Sequence, residues 1–215
     1  MFKVIGIELK RHAPFTIFGA ITGIIIMVII IVGNIPSNIS NTIFYILHPF
    51  HVILSALVTT AMYKLHTRGN LFSAILIGYT GSIGVATVSD AIIPYIGAIL
   101  LKIKIPFVIP FIAKWWITPL ALVGILVGYL RPATKFPHAG HVLLSTWASL
   151  FYLTAFGKTF WLPLLPLIFI FLFLAVWLPC CGSDIIYPLL FVKFEFRREE
   201  SINGIVRKAE KKIKG

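Results

Sequence analysis

Polar residues are so sparse along this chain that six apolar runs stand out, at roughly Ala13–Gly33, Phe44–Tyr63, Leu71–Leu101, Pro106–Leu130, His138–Phe156 and Phe160–Val192. A helix rises about 1.5 Å per residue and the hydrocarbon core of a bilayer is about 30 Å thick, so about 20 apolar residues suffice for one crossing. The pattern predicts an all-α, polytopic membrane protein of about six transmembrane helices. The first run follows Lys3, Lys10 and Arg11, as a secretory signal would. At 21 residues, with no small-x-small cleavage site after it, it reads instead as a retained helix. The third and sixth runs are about 30 residues long, more than one straight crossing needs. They contain Gly81, Gly84 and Pro94, and Pro179, Gly182 and Pro188. Broken or tilted helices are expected there, because proline removes a backbone donor.

Composition agrees with the pattern. Hydrophobic residues make up 59% of the 215 positions and charged residues 12%, with a mean hydropathy of +0.97. An ordinary soluble domain carries about 25% charged residues, so a water-soluble fold is excluded. Charge then orients the spans. Six crossings put the amino terminus, the loops at 64–70 and 131–137, and the tail on one side, with 15 of the 19 Lys and Arg residues. Lys102, Lys104 and Lys158 lie on the other side, and Lys114 falls within or at the start of the fourth span. Positive charge marks the inner face, so both termini are expected in the cytoplasm of a cell-membrane protein. The net charge of +12 is then a topology signal plus a basic tail, and no nucleic-acid partner is expected.

An internal repeat organises the chain further. His48-Pro-Phe-His51-Val-Ile-Leu-Ser55 returns as His138-Ala-Gly-His141-Val-Leu-Leu-Ser145, with five of eight positions identical, and Thr59 is matched by Ser149. Ser89-Asp90-Ala-Ile-Ile-Pro94 returns as Ser183-Asp184-Ile-Ile-Tyr-Pro188. The expected units are residues 1–102 and 103–193, three spans each, followed by a basic cytoplasmic tail at 194–215. Three spans per unit make the second unit start on the opposite side from the first. That is an inverted repeat, a construction common in transporters, where the site lies between the halves.

The repeated residues are those that could carry chemistry. His51, Ser55 and Thr59 are four apart and share a helix face, with His48 one turn earlier; His141, Ser145 and Ser149 repeat the pattern. Asp90 and Asp184 are the only acidic residues inside the apolar runs. A membrane-buried ionisable group is costly and points to function. Imidazole and carboxylate suit a divalent transition metal, and they also carry protons. The candidate metal ligands are therefore His48, His51, Asp90, His138, His141 and Asp184, supported by Ser55, Ser89, Ser145 and Ser183. Cys180 and Cys181 align with Ala86 and Thr87; as thiolates they would bias a site toward soft or borderline metals, and as thiols they are small apolar fillers. Pro94 and Pro188 lack the N–H that would serve the carbonyl four residues back, so each aspartate is expected to offer a freed carbonyl beside its carboxylate.

The first expectation is thus a transporter or channel for a small ion, a divalent metal with proton coupling, in the lipid bilayer, small enough to suit a homodimer. The alternative is an intramembrane metal-dependent hydrolase acting on a lipid-like substrate. The set of His, Asp and Ser resembles that of ceramidase-like intramembrane metal hydrolases, which implies such a reaction. The chain departs from that pattern: its set is duplicated, the HxxxH of a late helix is absent, and seven spans are not evident. No residue role carries over. A haem-binding electron carrier is the third expectation, weakened because the inverted arrangement would put the two histidine clusters nearer opposite faces.

Overall fold

The computed structural model describes residues 2–67, 70–132, 135–157, 162–182 and 186–192, without the side chains of 2–9, 11, 12, 135–138 and 181. It is all-helical, with no strand among the described residues. The helices are α1 (Phe2–Val32), α2 (Ser37–His66), α3 (Leu71–Thr87), a π-helical segment (Val88–Ile92), α4 (Ile93–Leu100), α5 (Pro110–Ala113), α6 (Ile117–Leu130), α7 (Lys135–Phe156) and α8 (Leu165–Cys181). Helical backbone resumes at 187–192. Five stretches are long and apolar enough to cross a membrane: Ala13–Val32, Ser37–His66, Leu71–Leu100, Ala139–Phe156 and Leu162–Cys180.

Local chemistry sets the helix ends. α1 stops where Asn34 turns left-handed (φ 46°), allowing the Ile35 N–H to reach back to the Ile30 carbonyl at 3.0 Å. Lys102 (φ 59°) closes α4 in the same way, with Ile103 N–H on the Ala98 carbonyl at 2.8 Å. Such six-to-one closures satisfy carbonyls that a helix end would otherwise leave bare. Asn70 caps α3 by accepting from the Ser73 N–H at 2.8 Å.

The helix in the fourth apolar run is shorter than the run itself. Residues 103–109 have no regular structure, α5 is a single turn, and α6 has only 14 residues, about 21 Å of helix. Pro106 and Pro110 are the cause, since neither can donate and each restricts the residue before it. The extended piece is tied to α7 by Val108 N–H donating to the Tyr152 hydroxyl at 3.1 Å. Lys114, Trp115 and Trp116 lie between α5 and α6, with the Lys114 Nζ 5.2 Å from the Tyr45 ring centre, so the lysine precedes α6 rather than lying within it. The third run is continuous rather than broken, carried through its proline by the π-helical turn.

Packing follows the sequence repeat in a way that the repeat itself does not announce. α2 and α7, which carry the two histidine blocks, are the most extensively packed pair and run antiparallel. Phe44, early in α2, meets Tyr152 and Phe156 near the end of α7, while His51 stacks on His141. Each is braced by the first helix of the other half. Gly124 and Gly128 of α6 bring its backbone against Ile53, Ala56 and Leu57 of α2. Gly19 and Gly23 of α1 approach Leu143, Thr146 and Trp147 of α7, the residues that align with 53, 56 and 57. Glycine lets helix backbones approach closely where no hydrophobic force between helices is available.

Candidate functional site

Asp90 lies in the π-helical turn and is fully buried. A π turn adds one residue to the helical repeat, so backbone bonds run five residues back instead of four: Ile93 N–H donates to the Val88 carbonyl. One residue on, Pro94 has no N–H to give. In this register the carbonyl it leaves bare is that of Ser89, not of Asp90 as expected from an α-helical count. Ser149 satisfies that carbonyl from the other half of the chain, at 2.9 Å.

The carboxylate is encircled. His48 and His51 each donate an Nδ1–H to Oδ2, at 2.9 and 2.7 Å. Ser89 and Ser145 donate to Oδ1, at 2.7 and 2.8 Å. Four donors fill the four acceptor positions of an ionised carboxylate. His48 and His51 come from α2 and Ser145 from α7, so the polar set draws on both halves of the chain.

His51 links this set to a second one. With Nδ1 committed to Asp90, its Nε2 is buried and has no hydrogen-bond partner among the described residues. Its ring lies against that of His141, centres 5.6 Å apart and planes 15° from parallel. The two histidine clusters therefore meet at one depth, correcting the expectation that they lie toward opposite faces. Near-parallel rings in contact leave no slot for a porphyrin between them, so the haem reading gains nothing from the meeting. A ring nitrogen of His51, one of His141 and the Cys180 sulfur lie within 4.8 Å of one another, as do the ligand atoms of His48, His51 and Asp90. All of these residues are buried. Buried His/Asp and His/Cys groups of this kind could hold a metal ion.

Of the remaining candidates, Ser55 and its neighbour Thr59 are buried with hydroxyls that find no partner among the described residues. Ser183 and Asp184 lie outside the described residues, as do the side chains of His138 and Cys181 and the whole basic tail. On either side of the gap at 183–185, Gly182 and Ile186 have π-helical backbone, at the places equivalent to Val88 and Ile92. His66, outside the repeat, is exposed at the end of α2 and bonds back to the Met62 carbonyl at 2.8 Å. Sequence reasoning missed the close partnership of His51 with His141 and Cys180; the signal was present in the offset between the two blocks, but not the antiparallel pairing that brings equivalent residues together. The chain matches no protein-family model, no curated protein and no solved structure.

Proposed function

We propose that this chain is a membrane transporter of a small cation, a divalent transition metal exchanged against protons, built as two inverted three-helix units. Asp90 carries the proposal. It is a carboxylate with 0% exposure on a π-turned helix, held by groups from both halves, beside the contact of two equivalent histidines. A device that moves an ion between two half-units needs its charged group there.

Three observations support the inverted arrangement: α2 and α7 are antiparallel, the glycine contacts are reciprocal, and the π-helical backbone at Gly182 and Ile186 falls at the places equivalent to Val88 and Ile92. Helix fastening alone is the bland rival. It accounts for the bonds to Asp90 but not for His51 Nε2, Ser55 Oγ and Thr59 Oγ1, which have no partner among the described residues. A buried polar group without a bond costs about 1–3 kcal/mol, so three of them along one face of α2 need a reason. The hydrolase reading needs a metal-borne water beside a substrate. Asp90, His48, His51 and Ser145 are at most 1% exposed, and no observation favours it.

The test is metal entry into vesicles that contain the purified protein and an entrapped indicator. Entry above protein-free vesicles is expected, and its abolition by Asp90→Asn in a variant that still inserts and folds. On the sequence repeat alone, Asp184→Asn is expected to do the same. Asn keeps size and hydrogen bonding while removing charge. Unchanged entry in Asp90→Asn overturns the proposal. The distribution of basic residues supports cytoplasmic termini. Cysteines introduced singly as Ser37→Cys and Thr67→Cys should label from outside intact cells only at position 37; equal labelling defeats the inverted arrangement.

A further inference from the structure

We infer that His51, His141 and Cys180 form a thiolate-containing site for one borderline-soft divalent ion, Zn2+ above all, with Asp90 standing behind His51 as its orienting partner. The inference deepens the transport reading, on which it rests for calling that ion cargo; the binding site itself stands on geometry.

The first argument is the tautomer of His51. An ionised Asp90 accepts from the His51 Nδ1–H at 2.7 Å, and in the neutral ring this leaves a lone pair on Nε2, the nitrogen that is buried without a partner among the described residues. A carboxylate behind one ring nitrogen and a metal before the other is how proteins orient metal-binding histidines. The second argument compares the two candidate groups. In the set of His48, His51 and Asp90, both imidazoles already point their Nδ1–H at one oxygen, at 2.9 and 2.7 Å, so a metal there would have to displace two protons from satisfied bonds. In the set of His51, His141 and Cys180, a metal held through Nε2 of His51 would leave the bond at Nδ1 in place. Their ligand atoms lie within 4.8 Å of one another. Tetrahedral Zn2+, with bonds of about 2.0 Å to nitrogen and about 2.3 Å to sulfur, wants them about 3.3–3.6 Å apart. Side-chain rotation spans such a difference.

Charge and softness then choose the ion. Coordination takes the proton from Cys180, so one thiolate and the Asp90 carboxylate face the metal with neutral histidines between them. A divalent ion brings this buried group to zero net charge, whereas a monovalent one leaves it negative. Sulfur disfavours Mg2+ and Mn2+ and favours Zn2+. Three protein ligands leave a fourth position open, which a structural zinc site would close. The repeat places Ala86 where Cys180 stands in the other half, so the described residues provide one such thiol-bearing site per chain.

The test titrates Co2+, a spectroscopic stand-in for Zn2+, into the purified full chain in detergent. A near-ultraviolet thiolate-to-cobalt absorption saturating at one Co2+ per chain is expected, displaced by Zn2+ and not by Mg2+. Cys180→Ser and, as a second variant, Cys180→Ala should remove that absorption with helicity and elution unchanged. His141→Ala should weaken binding at least tenfold and His66→Ala should leave it unaltered. Asp90→Asn should weaken Co2+ binding about 10–100-fold while the thiolate band persists at saturation. A band that survives both Cys180 variants, or no band at all, overturns the inference. Vesicle entry separates the two readings: a band without metal entry leaves the site and defeats transport, and entry without a band does the reverse.

Discussion

Ser145 and Ser55 hold equivalent places in two nearly identical sequence blocks, yet they live differently. Ser145 donates to Asp90, and its neighbour Ser149 closes the Ser89 carbonyl that Pro94 leaves bare. Ser55 and its neighbour Thr59 are just as buried and bond to nothing among the described residues. The thiol is one-sided as well: Cys180 packs with Val142, and Ala86 packs with Val52, in matching apolar clusters. Among the described residues, the duplicated sequence has therefore kept its scaffold in both halves, while Ser145 and Ser149 are hydrogen-bonded and Ser55 and Thr59 are not. For a transporter, that difference is what two ends of an alternating site should show, since the groups satisfied in one conformation are those released in the other.

The glycine contacts give the largest expected effect on this comparison. A Cβ at Gly124 would collide with the Ile53 backbone carbonyl, which cannot turn away without moving α2. A Cβ at Gly19 would come 2.9 Å from Thr146 Oγ1, the end of a side chain that can rotate. Gly124→Val is expected to cost about 1–3 kcal/mol by overpacking, and Gly19→Val distinctly less. Unfolding of each variant in mixed detergent measures both. Equal losses would show that the two braces are equally rigid, and the scaffold would then be more symmetric than its contacts.

How much of this was legible beforehand depended on whether the determinant was local. The helical class, the apolar runs and the His–Ser face of α2 follow from composition and a 3.6-residue period, and the repeat from matching strings. The π turn did not follow. Its register depends on Ser149 reaching across to the Ser89 carbonyl, a contact from 60 residues away that no local count contains. The shortened fourth helix was signalled by Pro106 and Pro110, but the uninterrupted apolar run around them outweighed that signal. The equivalence of Gly19 and Gly23 with Gly124 and Gly128 was beyond reach, because two small residues four apart are too common to align. Only the residues they touch, 143, 146 and 147 against 53, 56 and 57, make the correspondence visible.

The smallest expected effect bears most directly on the opening contrast. Ser145→Ala removes one of four donors to the Asp90 carboxylate and leaves the Ser89 hydroxyl as the sole donor to Oδ1. A hydrogen bond to a charged group contributes about 1.5–3 kcal/mol, and because Ser89 remains to serve the same oxygen, the loss should fall near the lower end. Ser55→Ala removes a hydroxyl that has no bond among the described residues, so its stability should be unchanged or slightly raised. Both substitutions delete one oxygen at fully buried, sequence-equivalent positions, so the difference between them isolates the hydrogen bond from the loss of volume. Unfolding midpoints of the two variants, in detergent and without metal, give that difference. If instead Ser55→Ala costs as much as Ser145→Ala, the hydroxyl of Ser55 is engaged in the native protein, and the two halves hold their polar groups alike.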